Sequence, residues 1–172
     1  MWKEVQTLPP DGRQSETALM IARGVRRLLR ARGFSSVTEL ALTDGRRADI
    51  AAVNRDGEVL IVEVKSCAAD FRADRKWRDY AACCDRLYFA ISEQTPVDLM
   101  PIEAGLIVAD PYGAEIVREA ELRRMAPPSR RALLLRFAVA AADRLHRLAD
   151  PVECWNSNRQ AALRPGARCG FV

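Results

Sequence analysis

The stretch that most restricts the fold is ADIAAVNRDGEVLIVEVK, from Ala48 to Lys65. Two apolar segments, Arg47–Val53 and Glu58–Lys65, flank the turn residues Asn54–Gly57 and read as a β-hairpin. On the second segment Val59 and Ile61 face one way, and Leu60, Val62 and Val64 the other. A strand that is apolar on both faces is covered on both sides, in the interior of a sheet. Yet Glu63 and Lys65 stand two residues apart on it, and so share a face.

The hairpin register decides what stands opposite them. A three-residue loop, Arg55-Asp56-Gly57, pairs Asn54 with Glu58 and sets Asp49 across from Glu63, with Lys65 diagonal to it. A two-residue loop, Asp56-Gly57, turns Asp49 to the other face. Gly57 in the left-handed position of a three-residue hairpin favours the first register. Two carboxylates and one ammonium then meet near the end of a buried strand. Two acids so close are unfavourable unless a cation lies between them. A hard divalent ion, Mg²⁺ or Mn²⁺, suits such oxygens: the carboxylates of Asp49 and Glu63, with the backbone carbonyl of Val64 as a third. The ion would acidify a bound water and neutralise a phosphate oxygen. Lys65 would orient or deprotonate that water, or stabilise charge on the phosphorus. The alternative is a pair of buried ion pairs, Glu63 with Lys65 and Asp49 with Arg46 or Arg47. Such pairs cost desolvation and stabilise little, and valines would suit a purely structural strand better.

The remaining elements follow from periodicity. A helix is predicted over about Ser15–Arg32, with Ala18, Ile21, Ala22, Val25, Leu28 and Leu29 as its apolar stripe and Gly33 as its stop. A strand over Val37–Leu42 precedes the hairpin, joined to it by Asp44-Gly45, so three strands form an antiparallel meander. A second helix is expected over about Asp74–Cys84, beginning as early as Asp70. Strands follow at Leu87–Ile91, Gly105–Ala109 and Glu115–Glu119. Pro127-Pro128 opens a last helix to about Leu148, with Leu134, Phe137, Ala138, Ala141 and Leu145 on one face. The expected architecture is α/β (α+β): one mixed sheet flanked by helices, in the order α-β-β-β-α-β with extra strands and a C-terminal helix. Residues 13–150 are expected to form a single domain, with 1–12 and 151–172 as flexible arms.

Composition matters for the partner. The net charge is +4 with a pI near 9.0, and only Lys3, Lys65 and Lys76 are lysines, so the basic side is nearly all arginine. Arginine forks suit phosphate, which makes nucleic acid a candidate partner; a GC-rich genome would inflate arginine in the same way. Arg47, Arg72 and Lys76 are the candidate phosphate contacts around the site. Trp77 is expected to pack on the sheet rather than stack on bases. Glu39, on the first strand, is a candidate additional acid whose facing depends on the Asp44-Gly45 turn. The lone histidine, His146, reads as a surface residue on a late helix, so neither a Ser/His/Asp triad nor a multi-histidine metal site is expected. DGRR and RDGE are hairpin turns, which leaves no glycine-rich phosphate loop. No apolar run is long enough to span a bilayer, no signal peptide is visible, and five cysteines without a CxxC pair fit a reduced cytoplasm.

The pattern RRAD at Arg46–Asp49, thirteen residues, then EVK at Glu63–Lys65 resembles the PD-(D/E)xK nuclease superfamily, whose core is restriction-endonuclease-like. The longer string from Gly45 to Ile91, with GLIVADPYGAEI after it, resembles the bacterial MmcB-type DNA-repair family over roughly residues 13–148. The resemblance implies Asp49 and Glu63 as metal ligands and Lys65 as the catalytic lysine. Ala48 stands where the superfamily usually has proline. DNA is the implied partner, with DNA-repair proteins and a second copy of the chain (a homodimer) as further candidates. Some superfamily members keep the fold without cutting, so a binding module without turnover is the alternative to a nuclease.

Overall fold

Ser15 caps the first helix: its hydroxyl accepts the Ala18 N–H at 3.2 Å, and Glu16 follows in the first turn. In the computed structural model, which describes residues 15–66 and 77–151, this helix is α1, Glu16–Ala31. It ends where Gly33 takes a φ of +81°. Its inward stripe is the expected one, with Ile21, Val25 and Leu29 buried and Ala22 and Leu28 packed beside them. Gly24 lies on the same face. A Cβ there would meet the Asp110 carbonyl oxygen at 2.1 Å and that of Gly113 at 2.3 Å, so only glycine lets α1 approach the sheet this closely.

Three strands follow: β1 (Ser35–Ala41), β2 (Arg47–Val53) and β3 (Val59–Val64). A short helix, α2 (Trp77–Tyr80), runs into a 3-10 turn at Ala81–Cys83. Then come β4 (Arg86–Ile91), β5 (Gly105–Ala109), β6 (Ala114–Arg118) and the long helix α3 (Pro127–Ala149). The strands form one six-stranded sheet in chain order, β1 to β6. β1–β2–β3 is an antiparallel meander, β3, β4 and β5 are parallel neighbours, and β6 closes antiparallel to β5. The fold is thus α+β with a mixed sheet between helices, as expected.

The two faces carry separate cores. Ile50, Ala52, Leu60, Val62, Tyr88, Ala90 and Ile107 pack against α1. Ala51, Val59, Ile61 and Leu87 on the other face pack against α3, Trp77 and Tyr80. β3 and β4 are buried on both sides, which explains their nearly unbroken apolar sequences.

The inward stripe of α3 departs from expectation. Leu133, Leu134, Phe137, Ala140 and Ala141 touch the core, whereas Ala138 is exposed and Leu145 is 68 % exposed. After Ala141 the helix holds the sheet edge through Arg144 rather than through apolar side chains. Its first turn is fixed by a buried ion pair. Arg130 forks onto both Asp85 oxygens at 2.6 and 2.7 Å, and Asp85 also accepts the Val59 and Met125 N–H groups at 2.8 and 2.9 Å. Arg130 is half-buried, with its guanidinium committed to Asp85. Of the predicted second helix, the part from Trp77 onward is present; its start, with Arg72 and Lys76, lies outside the described residues, as do both expected arms except Pro151.

Candidate active site

The β2–β3 turn is built as its sequence requires. Asn54 N–H donates to the Glu58 carbonyl, and Gly57 takes a φ of +76° in a three-residue loop. The ladder then pairs Val53 with Val59 and continues to Ile50 with Val62. One step further along this register, Asp49 stands across from Glu63. There the backbone ladder gives way to side chains. The Val64 N–H donates to the Asp49 carboxylate at 2.8 Å, and the Asp49 N–H donates to the Glu63 carboxylate at 3.3 Å. Both acids therefore lie along the seam between β2 and β3.

Glu63 is 4 % exposed and Lys65 8 % exposed. Lys65 continues the strand by donating its N–H to the Ala90 carbonyl at 2.9 Å. Its ammonium lies over the Phe89 ring, 5.8 Å from the centroid. Phe89 in turn meets Trp77 edge-on, with centroids 6.0 Å apart and planes at 75°. Trp77 packs on the sheet, as expected. Phe89 is the site residue that sequence reasoning missed. It stands beside Glu63 because β4 pairs parallel to β3 in that register.

Burial pushes the Asp49 carboxyl above the usual carboxylate range. The Val64 N–H and the charges of Lys65 and Arg47 pull it back, and Glu39 adds to the rise. Two carboxylates on one seam form a hard-oxygen donor set, the kind that suits a divalent cation. Among the described residues no group of three or more His, Cys, Asp and Glu side chains forms a metal site. A strand residue's N–H and C=O leave the same edge, so the Val64 carbonyl faces β2, the side of the Asp49 carboxylate.

Glu39 has a φ of +49°, a left-handed conformation unusual for a non-glycine residue. β1 pairs Thr38 with Ile50 and Leu40 with Ala48, and the ladder skips Glu39 between them. In that register Glu39 is level with Asp49. Its carboxylate is paired with Arg47 at 3.2 Å, and Arg47 is 45 % exposed. Arg46 pairs with Asp79 and Asp44 and lies over the Tyr80 ring at 5.7 Å; Tyr80 donates its hydroxyl to the Arg47 carbonyl at 3.3 Å. Neither arginine takes Asp49 as its ion-pair partner among the contacts the structure gives.

Fold and site together define an α+β protein that sets a half-buried aspartate beside a buried glutamate and lysine on one hairpin of its central sheet. A model of the MmcB-like DNA repair proteins matches residues 5–152, and the chain belongs to that family. Among solved structures, it is similar to the SPO1766 protein of unknown function from Silicibacter pomeroyi. The two are 44 % identical, the match covers 80 % of this chain and 94 % of the other, and the TM-score is 0.77. No curated protein matches it. Among the described residues no helix is long and apolar enough to cross a membrane.

Proposed function

We propose that this member of the DNA-repair family hydrolyses phosphodiester bonds in DNA as a metal-dependent nuclease of the PD-(D/E)xK kind. In this reading residues 13–150 form the catalytic unit. Asp49, Glu63 and the Val64 carbonyl hold Mg²⁺ or Mn²⁺. The observation that carries the reading is the hairpin register, which sets the Asp49 carboxylate across from a buried Glu63, two residues before a buried lysine. When bound, the ion supplies Lewis acidity and an acidified water.

The chain's own residues have distinct tasks. The Val64 N–H fixes the Asp49 carboxylate, and the Asp49 N–H fixes that of Glu63, so each acid is oriented by the backbone of the facing strand. Lys65 donates to the attacking water or to a non-bridging phosphate oxygen; away from bulk water its charge acts strongly on the phosphorus centre. A water oxygen bonds to phosphorus, the bond to the leaving sugar oxygen breaks, and a proton ends on that oxygen. Arg47 exchanges Glu39 for a phosphate, and Arg72 and Lys76, which lie outside the described residues, are the further phosphate contacts of this reading.

Single-stranded, nicked and branched DNA incubated with Mg²⁺ or Mn²⁺ tests this. The wild type is expected to release products, and Lys65→Ala and Asp49→Asn to lose at least about 100-fold in rate. Equal rates for wild type and Lys65→Ala would end the catalytic assignment. Binding without cleavage by the wild type would favour a DNA-binding module that keeps the fold alone.

A further inference from the structure

The outer edge of the sheet carries a row of arginines that the site does not use. β1 is an edge strand, and arginines from three elements gather around it. Arg26, exposed on α1, donates through Nε to the Ser36 hydroxyl at 3.4 Å. Arg144, from α3 on the opposite face, reaches round the edge to Thr38, bonding its hydroxyl at 3.3 Å and also its carbonyl. Ser36 and Thr38 are two residues apart on one face of β1, about 6.6 Å along the strand. That separation resembles the distance between successive phosphates on one nucleic-acid strand. Arg147 follows one turn after Arg144, exposed in the last turn of α3. The row then meets Glu39 and its partner Arg47, level with Asp49.

The arginines are close enough to oppose one another. Burial, then the like charge of Arg26, holds the Arg144 guanidinium below the usual arginine range; Arg147 adds to this, and Glu39 acts the other way. Gathered arginines with one opposing carboxylate are a surface that an anion stabilises. We propose that Arg26, Arg144 and Arg147, along the open edge of β1, form a phosphate-binding track for the DNA strand that leads to Asp49. This rests on DNA being the substrate at the Asp49 site. The competing account is that these side chains only shield an edge strand from pairing with another chain.

Fluorescence anisotropy of a labelled duplex oligonucleotide, read in EDTA over a series of KCl concentrations, tests the track without requiring cleavage. The full-length Arg26→Gln/Arg147→Gln variant alters only exposed side chains and leaves Arg144 on Thr38. It is expected to bind at least about tenfold more weakly and to lower the salt slope by about 2, with its melting temperature unchanged. Wild-type affinity and slope in the variant would overturn the track, as would no binding by the wild type. Unchanged affinity with new self-association on a sizing column would also overturn it, in favour of edge shielding. If Lys65→Ala cleaves like the wild type while the double arginine variant still loses binding, the catalytic assignment falls and the track stands.

Discussion

Lys65 is held by an aromatic face and a backbone bond, and both come from β4. The sequence placed its charge on the right strand and face, since alternation and one turn suffice for that. It could not name Phe89, because a parallel partner arrives by a crossover whose register no local pattern encodes. The same holds for Glu39: its facing was left open by the Asp44-Gly45 turn, and its left-handed backbone has no signature in the residue type. If the Phe89 ring fixes the lysine, Phe89→Leu should keep the fold while removing the π face. Turnover should fall by about tenfold, with DNA affinity in EDTA unchanged, when cleavage rates and anisotropy are compared. Equal rates would mean the ring only fills space.

At the scale of elements, the β2–β3 hairpin was the most legible part of the chain. Asn54 and Gly57 dictate a three-residue turn, and the turn dictates the register. The docking of α3 was less legible, because its fixed point is a contact between Arg130 and Asp85, far apart in sequence. Burial pushes the Asp85 carboxyl up, but the Arg130 fork and the Met125 and Val59 N–H groups outweigh it and hold it below the usual carboxylate range. The unfolded chain therefore takes up this proton more readily than the folded one. The contribution of Asp85 to stability is complete above the ordinary aspartate range and is lost as pH falls through that range towards the lower folded value. Denaturant titrations at stepped pH should show this acid-side loss in the wild type and a smaller one in Asp85→Asn. That variant should also be less stable at neutral pH by about 1–3 kcal/mol, because it takes the charge from the buried end of the Arg130 fork.

Across the whole molecule, α1 and α3 clamp the sheet from opposite faces, and the acid pair sits between β2 and β3 on the face towards α3. Gly24 sets how closely α1 approaches. Gly24→Ala drives a methyl group into two carbonyl oxygens and should lower stability by about 2 kcal/mol or more in thermal melts. A melting temperature equal to that of the wild type would show that α1 lies farther from the β5–β6 turn. The family was legible from the string between Gly45 and Ile91, whereas the arginine edge assembles from three distant segments and no single motif announces it.

The most direct measurement is anomalous diffraction from crystals soaked in Mn²⁺. The account predicts a peak between the Asp49 and Glu63 carboxylates in the wild type, absent from Asp49→Asn crystals treated alike. A fully soaked wild-type crystal with no peak there would contradict the metal site on which the hydrolytic reading depends.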